Sequence, residues 1–482
     1  MKITVRCCTL ILKRYFRSKS LIVLSCILIL AGIGKLANTR DLFSGGNSVV
    51  TRVKVKTTTL RTPILLNPER LKRVVLNKKL NQLNAKKNAT EMKMKWLREK
   101  VERLNRMVPK PEVVHVEVNE VVPVNKNIHI FYYAWYENEA VDGAWQHWNH
   151  EYLKNWRQND KKVYPTGRHK PPDDIGSNFY PKLGCYSSRD QNVLNTHMRQ
   201  IRDVGVGVLI VSWYPPGMSD GPSKSSDTVF RQLLDTAEKF QLKVSPHVEP
   251  YVGRNPLNFL QHLKYFTKTY GSHPALYRMK RRNRNLIVYY VYDSYRTPAF
   301  AWKELLATNG NISVRGTEED GIFLGLLVDA SHKVEIKRAR FDGFYTYFAT
   351  NGFSYGSTWK NWKTLAAMAR QQDLIFVPSV GPGYVDTRIR PWNSANTRHR
   401  RHGKYYEVGW RTALSADVQH ISITSFNEWH EGTQIEPAVR KTVQNYSYQD
   451  YEPEGPDFYM NLTKFWVNTY TKKNFNTKSN YH

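Results

Sequence analysis

The chain has 482 residues, 41% hydrophobic and 13% aromatic, enough for a sizeable core and a surplus of rings for a binding cleft. The formal net charge is +31, but residues 1–126 carry 27 Lys/Arg against 8 Asp/Glu, so +19 of it sits in the first quarter and only +12 in the other 356 residues. With no zinc-finger spacing, RNP-type aromatic motif or P-loop, this distribution points to a solvated basic stem and away from nucleic-acid binding. Cys7, Cys8 and Cys26 lie in or before an apolar N-terminal stretch, which leaves Cys185 alone in the bulk of the chain. One cysteine makes neither a disulfide scaffold nor a cysteine-based metal site.

Residues 1–20 form a basic tail, with Lys2, Arg6, Lys13, Arg14, Arg17 and Lys19 and no acid. The uncharged run LIVLSCILILAGIG (21–34) follows, and the anchor segment is drawn to residue 37. The one-sided positive flank predicts a single-pass type II signal anchor with the rest of the chain across the membrane. At 14 residues the run is short for a span, so a cleaved signal peptide is the alternative. Four N-x-S/T sequons, at Asn88, Asn311, Asn445 and Asn461, agree with export.

Residues 38–127 read as a basic, partly helical stem. Leu76, Leu80, Leu83, Leu97, Val101 and Leu104 keep spacings of four and three, with Lys87, Thr90 and Met94 filling the register. A weak, interrupted coiled coil and a lone solvated helix both fit, so stem self-association is one expectation. Pro109, Pro111 and Pro123 punctuate the approach to residue 128.

From Ile128 the texture changes. Eight short runs rich in Val, Ile, Phe and Tyr recur, at 128–136, 206–213, 243–251, 286–294, 322–329, 343–348, 374–383 and 418–429. Near-continuous apolar strands suit a parallel sheet buried on both faces. With helical connections such as 189–204, 226–241 and 357–372, the pattern predicts an α/β fold, a (β/α)8 TIM-like barrel over 128–470 with a short tail at 471–482. A doubly wound open sheet is the alternative, although no Gly-rich phosphate turn follows the first strand.

Polar and aromatic residues collect at the C-terminal ends of these runs: Tyr133 and Tyr136, Trp213, Glu249 and Tyr251, Asp293, Tyr347, and then Asn427, Glu428 and Trp429. In a barrel, side chains from different strands converge at that mouth. In SFNEWHEGTQIEP (425–437), Glu428 ends the eighth run and Glu431 lies three residues on, before Gly432. Two close carboxylates drive their proton affinities apart, which suits an acid and a base in glycoside hydrolysis. A solvated acidic loop is the bland reading, and flanking Phe426, Trp429 and Ile435 argue against it. DGAWQHWNHEY (142–152) brings His147, Trp148, His150 and Glu151 close in sequence. Its spacing is not HExxH and no third ligand is evident, so a sugar-binding wall fits better than a metal. In HVEPYVGRN (247–255), Glu249 and Arg254 could pair with each other or serve the cleft.

FYYAWY, DGxxxHWNH, HVEPYxGR, FDGFYTYFATNGFSYGS (341–357) and SFNEWHEGTQIEPA together resemble glycoside hydrolase family 99, the endo-α-1,2-mannosidases, from about Ile128 to about Tyr470. The resemblance implies a (β/α)8 barrel, no cofactor or metal, and cleavage inside a glucosylated mannose branch of high-mannose N-glycans with retained configuration. It further implies that Glu428 assists the mannose 2-hydroxyl in attacking its own C1, giving a 1,2-anhydro sugar, and that Glu431 is the general acid and then base. Tyr133, Trp213, Tyr347 and Trp392 match positions lining the family's sugar subsites. The anchor and stem resemble the family's Golgi form. Cys185, in FYPKLGCYSSRD, departs from the family and leaves glucose-capped against plain mannose open. Two other classes share part of this plan. A type II glycosyltransferase would carry a D-x-D motif, and none is found; a carbohydrate-binding chaperone would not need both glutamates.

Overall fold

The computed structural model describes residues 123–156, 162–219, 225–443 and 446–479, with six helical positions between 91 and 99. The predicted basic tail, the anchor and nearly all of the stem, with its coiled-coil register, lie outside the described residues, as do Asn88 and Asn445. Asn311 and Asn461 are exposed. Among the described residues no helix is long and apolar enough to cross a membrane.

The strands β1 (Asn125–Tyr132), β2 (Val206–Trp213), β3 (Lys243–Val248), β4 (Arg284–Val291), β5 (Gly321–Leu326), β6 (Gly343–Tyr345) and β7 (Ile375–Val377) pair in that order, all in parallel. β8 (Ser379–Val380) pairs with β9 (Ile421–Ile423), and β9 returns to β1 with Ile130 opposite Ile423. The run predicted at 374–383 is therefore two strands. Pro378 separates them because it has no N–H to donate, yet its carbonyl still accepts from the Ser422 N–H at 2.9 Å. Nine segments thus fill eight strand positions, and the ring through β1 excludes the open doubly wound sheet.

Each strand position is followed by a helix: α1 (Gln191–Asp203), α2 (Asp227–Lys239), α3 (Pro256–Tyr270), α4 (Ala299–Leu306), α5 (His332–Arg338), α6 (Trp362–Gln371), α7 (Lys404–Ser415) and α8 (Phe458–Ser479). α8 runs on past the boundary drawn at residue 470. The helices face the barrel through apolar stripes; in α1, Leu194, His197, Met198 and Ile201 are buried at i, i+3, i+4 and i+7. Asp190 caps α1 by accepting from the Asn192 N–H, and Asn255 with Asn258 forms a capping box on α3.

Alternation along β1 divides inside from outside. Tyr132 reaches outward to His197 of α1, whereas His129, Phe131 and Tyr133 face the barrel interior in successive layers. His129 bonds the Tyr290 hydroxyl at 2.6 Å, Phe131 packs on His247 and Tyr345, and Tyr133 meets the Tyr347 hydroxyl at 2.5 Å. The interior is thus aromatic and polar, rising toward the C-terminal mouth.

The opposite end is tied by charge. Arg315 bridges Asp320, which precedes β5, and Asp342, which precedes β6, at 3.1 and 3.0 Å. All three side chains are at most 5% exposed. Arg281, Arg282 and Arg284, which are more exposed, pair with the same two aspartates. Arg315→Ala therefore removes the most buried cation without leaving either carboxylate unpaired, and is expected to lower unfolding free energy by about 1–3 kcal/mol in a urea titration. The folded fraction should keep its activity, since the mouth lies at the other end.

Candidate active site

Turn residues 424–434 build the centre of the mouth. Ser425 Oγ accepts from the Glu428 N–H at 2.8 Å, and the Thr433 N–H donates to the Glu428 carbonyl at 3.3 Å. The Val385 N–H holds the Glu431 carbonyl at 2.8 Å. Gly432 closes the turn at φ 59, where an L side chain is strained and a Cβ would stand 2.7 Å from Val385. Both carboxylates are brought to one cavity of about 220 Å³. Tyr133, His147, Glu249 and Tyr347, all singled out in the sequence, share its wall.

Glu428 is 4% exposed, and its carboxylate accepts the His430 N–H at 3.1 Å. Burial raises its pKa well above the ordinary value, and the Glu431 charge raises it further. The Glu431 side chain is 21% exposed, with Arg390 Nη1 at 3.8 Å. Burial pushes its pKa up to about 7, against the pull of Arg390 and of the Tyr347 hydroxyl toward the anion. In the protein alone, burial raises both carboxyls, so the pair holds a proton well above the ordinary carboxylate range.

A carboxyl that binds its proton more tightly when folded costs nothing in acid. It destabilises progressively as pH rises from its ordinary 4.5 through about 7. Glu431→Gln is expected to stabilise the fold by about 3–4 kcal/mol above pH 8 and by little near pH 4, given roughly 1.4 kcal/mol per pKa unit. Melting curves at both pH values check this; an equal change at the two would sink it.

Several expected cleft residues take other positions. Trp213, at the end of β2, turns outward, packs on Phe266 at 5.1 Å and donates its indole N–H to Asp227. Its neighbour Tyr214 lines the cavity. Asp293 likewise turns to Tyr295 and Arg296, while Tyr292 lines the cavity. Arg254 does not bond the Glu249 carboxylate; it donates to the backbone carbonyls of Val248, Glu249 and Asp293. The Glu249 carboxylate lies 3.4 Å from His247 Nδ1. Tyr251 bonds Asn258. Trp392 gives its indole N–H to the Leu153 carbonyl and packs against Trp156.

Tyr136, Trp148, Asn427 and Trp429 are fully buried and support the turn from behind. Tyr136 donates to the Asn427 carbonyl, and its hydroxyl accepts from the Trp429 N–H. Asn427 clasps Tyr133 through both backbone groups at 2.8 Å, which locks the last turn to β1. Trp148 donates to the Tyr186 carbonyl. Tyr186 and Trp429 both donate to the buried Glu436, which also contacts His197 at 3.2 Å.

Sequence reading missed Trp135, Tyr214, Tyr292, Arg390 and His430 on the cavity wall. Trp135 stacks on His147 at 4.4 Å and 6°, and His430 donates through Nδ1 to the Gly176 carbonyl at 2.8 Å. Tyr214 and Tyr292 each stand one residue from a position singled out, so the strand-end signal was near them. Arg390, from a distant loop, had no such signal. Cys185 lies outside the cavity lining, 3.6 Å from the Tyr180 hydroxyl, its thiol pushed up by burial to about 11. Among the described residues no group of three ligating side chains could hold a metal.

Residues 123–472 match the model of glycosyl hydrolase family 99. The chain is 51% identical over 364 residues to the rat glycoprotein endo-alpha-1,2-mannosidase, spanning 75% of this chain and 79% of that protein. It is 48% identical over 351 residues to the human glycoprotein endo-alpha-1,2-mannosidase-like protein, across 73% and 77% of the two chains. The solved GH99 endo-alpha-mannosidase of Bacteroides thetaiotaomicron superposes with a TM-score of 0.67 at 42% identity, covering 72% of this chain and 98% of that one. With a barrel whose mouth holds a buried and a half-buried glutamate on one turn, and with a family match over more than two thirds of its length, this chain belongs to glycosyl hydrolase family 99.

Proposed function

We propose that the chain is a retaining endo-α-1,2-mannosidase that trims glucosylated high-mannose N-glycans, releasing Glc1–3Man. The observation that carries this reading is the pair Glu428 and Glu431, both raised in pKa by burial, on one turn of a cavity walled by Tyr, Trp and His. In α-mannosides the axial 2-hydroxyl is trans to the leaving group. Glu428 draws the proton from that hydroxyl as its oxygen attacks C1, and Glu431 protonates the departing oxygen. The C1–leaving-oxygen bond breaks as the 1,2-anhydro ring forms. Glu431 then activates a water that attacks C1 while the C1–O2 bond breaks and Glu428 returns its proton to O2, which retains configuration after two inversions. This differs from direct carboxylate attack.

In the protein alone the pair favours holding a proton, and this scheme needs that proton on Glu431. The substrate supplies the placement. Its 2-hydroxyl offers a donor to Glu428, which favours the carboxylate there, and its glycosidic oxygen offers an acceptor to Glu431, which favours the acid. Tyr133, Tyr347, His147, Glu249 and Trp135 would grip the sugars through hydroxyl, imidazole and ring-face contacts.

Incubating the full chain with glucosylated high-mannose glycan and weighing the products tests the reading. Release of a glucosyl-mannose oligosaccharide is expected; an unchanged glycan would instead favour a binding protein, and loss of free glucose alone an exo-acting enzyme. Activity is expected to survive EDTA, because the proposed groups are carboxylates and aromatics. Loss restored by zinc would return His147 and His150 to consideration as ligands. The basic tail, the uncharged run 21–34 and the sequons support placement in the Golgi membrane with the barrel lumenal. Alkaline extraction of membranes, followed by protease protection, checks that orientation.

A further inference from the structure

Behind the catalytic turn stands a cation that the chemistry above does not use. Arg400 belongs to the basic segment 397–404, and its guanidinium lies 4.6, 4.9 and 4.6 Å from the ring centres of Phe179, Tyr451 and Tyr459. Its Nη2 donates to the carbonyls of Gly432 at 3.0 Å and Gln434 at 2.8 Å. Its Nε and Nη1 are buried and have no hydrogen-bond partner among the described residues.

Desolvating a guanidinium for two carbonyl bonds is costly, and the three ring faces offset only part of that cost. For stability alone an apolar side chain of similar volume would serve as well. The geometry has a more specific product. Gly432 directly follows Glu431, and the Glu431 carbonyl is itself held by the Val385 N–H. Val385 fixes the peptide plane between Glu431 and Gly432, and Arg400 fixes the next plane and one two residues on. We infer that Arg400 is a positioning residue for Glu431, setting the direction from which its carboxyl meets the leaving oxygen. This inference rests on the role proposed for Glu431.

The test is a double-mutant cycle on the full chain, assayed with the natural glycan and with an activated glycosyl fluoride that needs little protonation. Arg400→Met is expected to lower kcat on the glycan roughly ten- to a hundredfold with KM nearly unchanged, as misplacing a reacting group does. The bond-breaking burst with the fluoride should be largely spared, since only the later opening of the anhydro sugar needs Glu431 as base, and in a Glu431→Gln background Arg400→Met should add almost nothing to either rate. Arg400→Lys, whose ammonium can donate to the same carbonyls but lacks the planar face that lies over the three rings, should recover part of the loss. Equal losses on both substrates, or a full further loss in the Glu431→Gln background, would overturn the inference. If Arg400→Met does not fold, Arg400→Lys supplies the same cycle with a smaller split. A Glu431→Gln protein that fails to distinguish the two substrates overturns the role of Glu431 itself. If it distinguishes them and the Arg400 variants do not, the positioning role alone is wrong.

Discussion

Glu428→Gln is expected to lower turnover about a thousandfold or more on every α-1,2-mannoside, whatever its leaving group, because general-base assistance is worth on the order of 10²–10⁴-fold. The amide keeps the size of the side chain and can still face the mannose 2-hydroxyl, but it cannot accept that hydroxyl's proton. An activated leaving group does not help, since the group in default is on the attacking side. The same logic extends to the substrate. A mannoside methylated at the 2-hydroxyl should bind and remain uncleaved by the intact enzyme, because no proton can be drawn and no anhydro ring can close. A direct carboxylate nucleophile predicts otherwise: the methylated sugar is cut, and a glycosyl ester to Glu428 accumulates with slow substrates. Trapping that ester, or near-normal rates for Glu428→Gln, would falsify the assignment. Refolding artefacts are separable, because removing a carboxyl whose pKa burial has raised should make this variant at least as stable as the parent above neutral pH.

Glu431→Gln should show the opposite dependence on the leaving group. Natural glycan releases a sugar alkoxide that must be protonated as the bond breaks, so turnover should fall on the order of a hundred- to ten-thousandfold. A nitrophenyl or fluoride leaving group departs as a stable anion and should retain most of its bond-breaking rate. Hydrolysis of the anhydro sugar still needs a base, so a burst followed by a slow steady state is expected with such substrates. A small added nucleophile such as azide, which needs no deprotonation, should speed that second step and give a product of retained configuration. Uniform loss across leaving groups would remove Glu431 from the acid role and direct attention to Glu249, the third carboxylate on the cavity wall. Arg390 offers a gauge of the same chemistry. It lies 3.8 Å from Glu431 and favours the anion, so its replacement by Met should raise the Glu431 pKa further.

The barrel and its reactive turn are legible in the amino-acid order. Eight apolar runs with helical spacers fit one architecture; Glu428 ends the last run and Glu431 lies three residues on, so chain order alone put them at the mouth. Tertiary structure decided which strand-end residues face the sugar. A strand buried on both faces is apolar throughout, so its period of two is invisible in the sequence. Trp213 and Tyr214 look equally suitable there, and only the packing of β2 against α2 and α3 sends the indole outward and the phenol inward. The same one-residue choice separates Asp293 from Tyr292. Tertiary structure also supplied Arg390 and Arg400, because a charge is recognisable from sequence but its neighbour 30 or 40 residues away is not. Both come from loops that meet the turn only when β7 and β8 bring the segment after them alongside β9. The proton affinities of the two glutamates followed from that closure, since burial and the facing charges, absent from an extended chain, are what raise them.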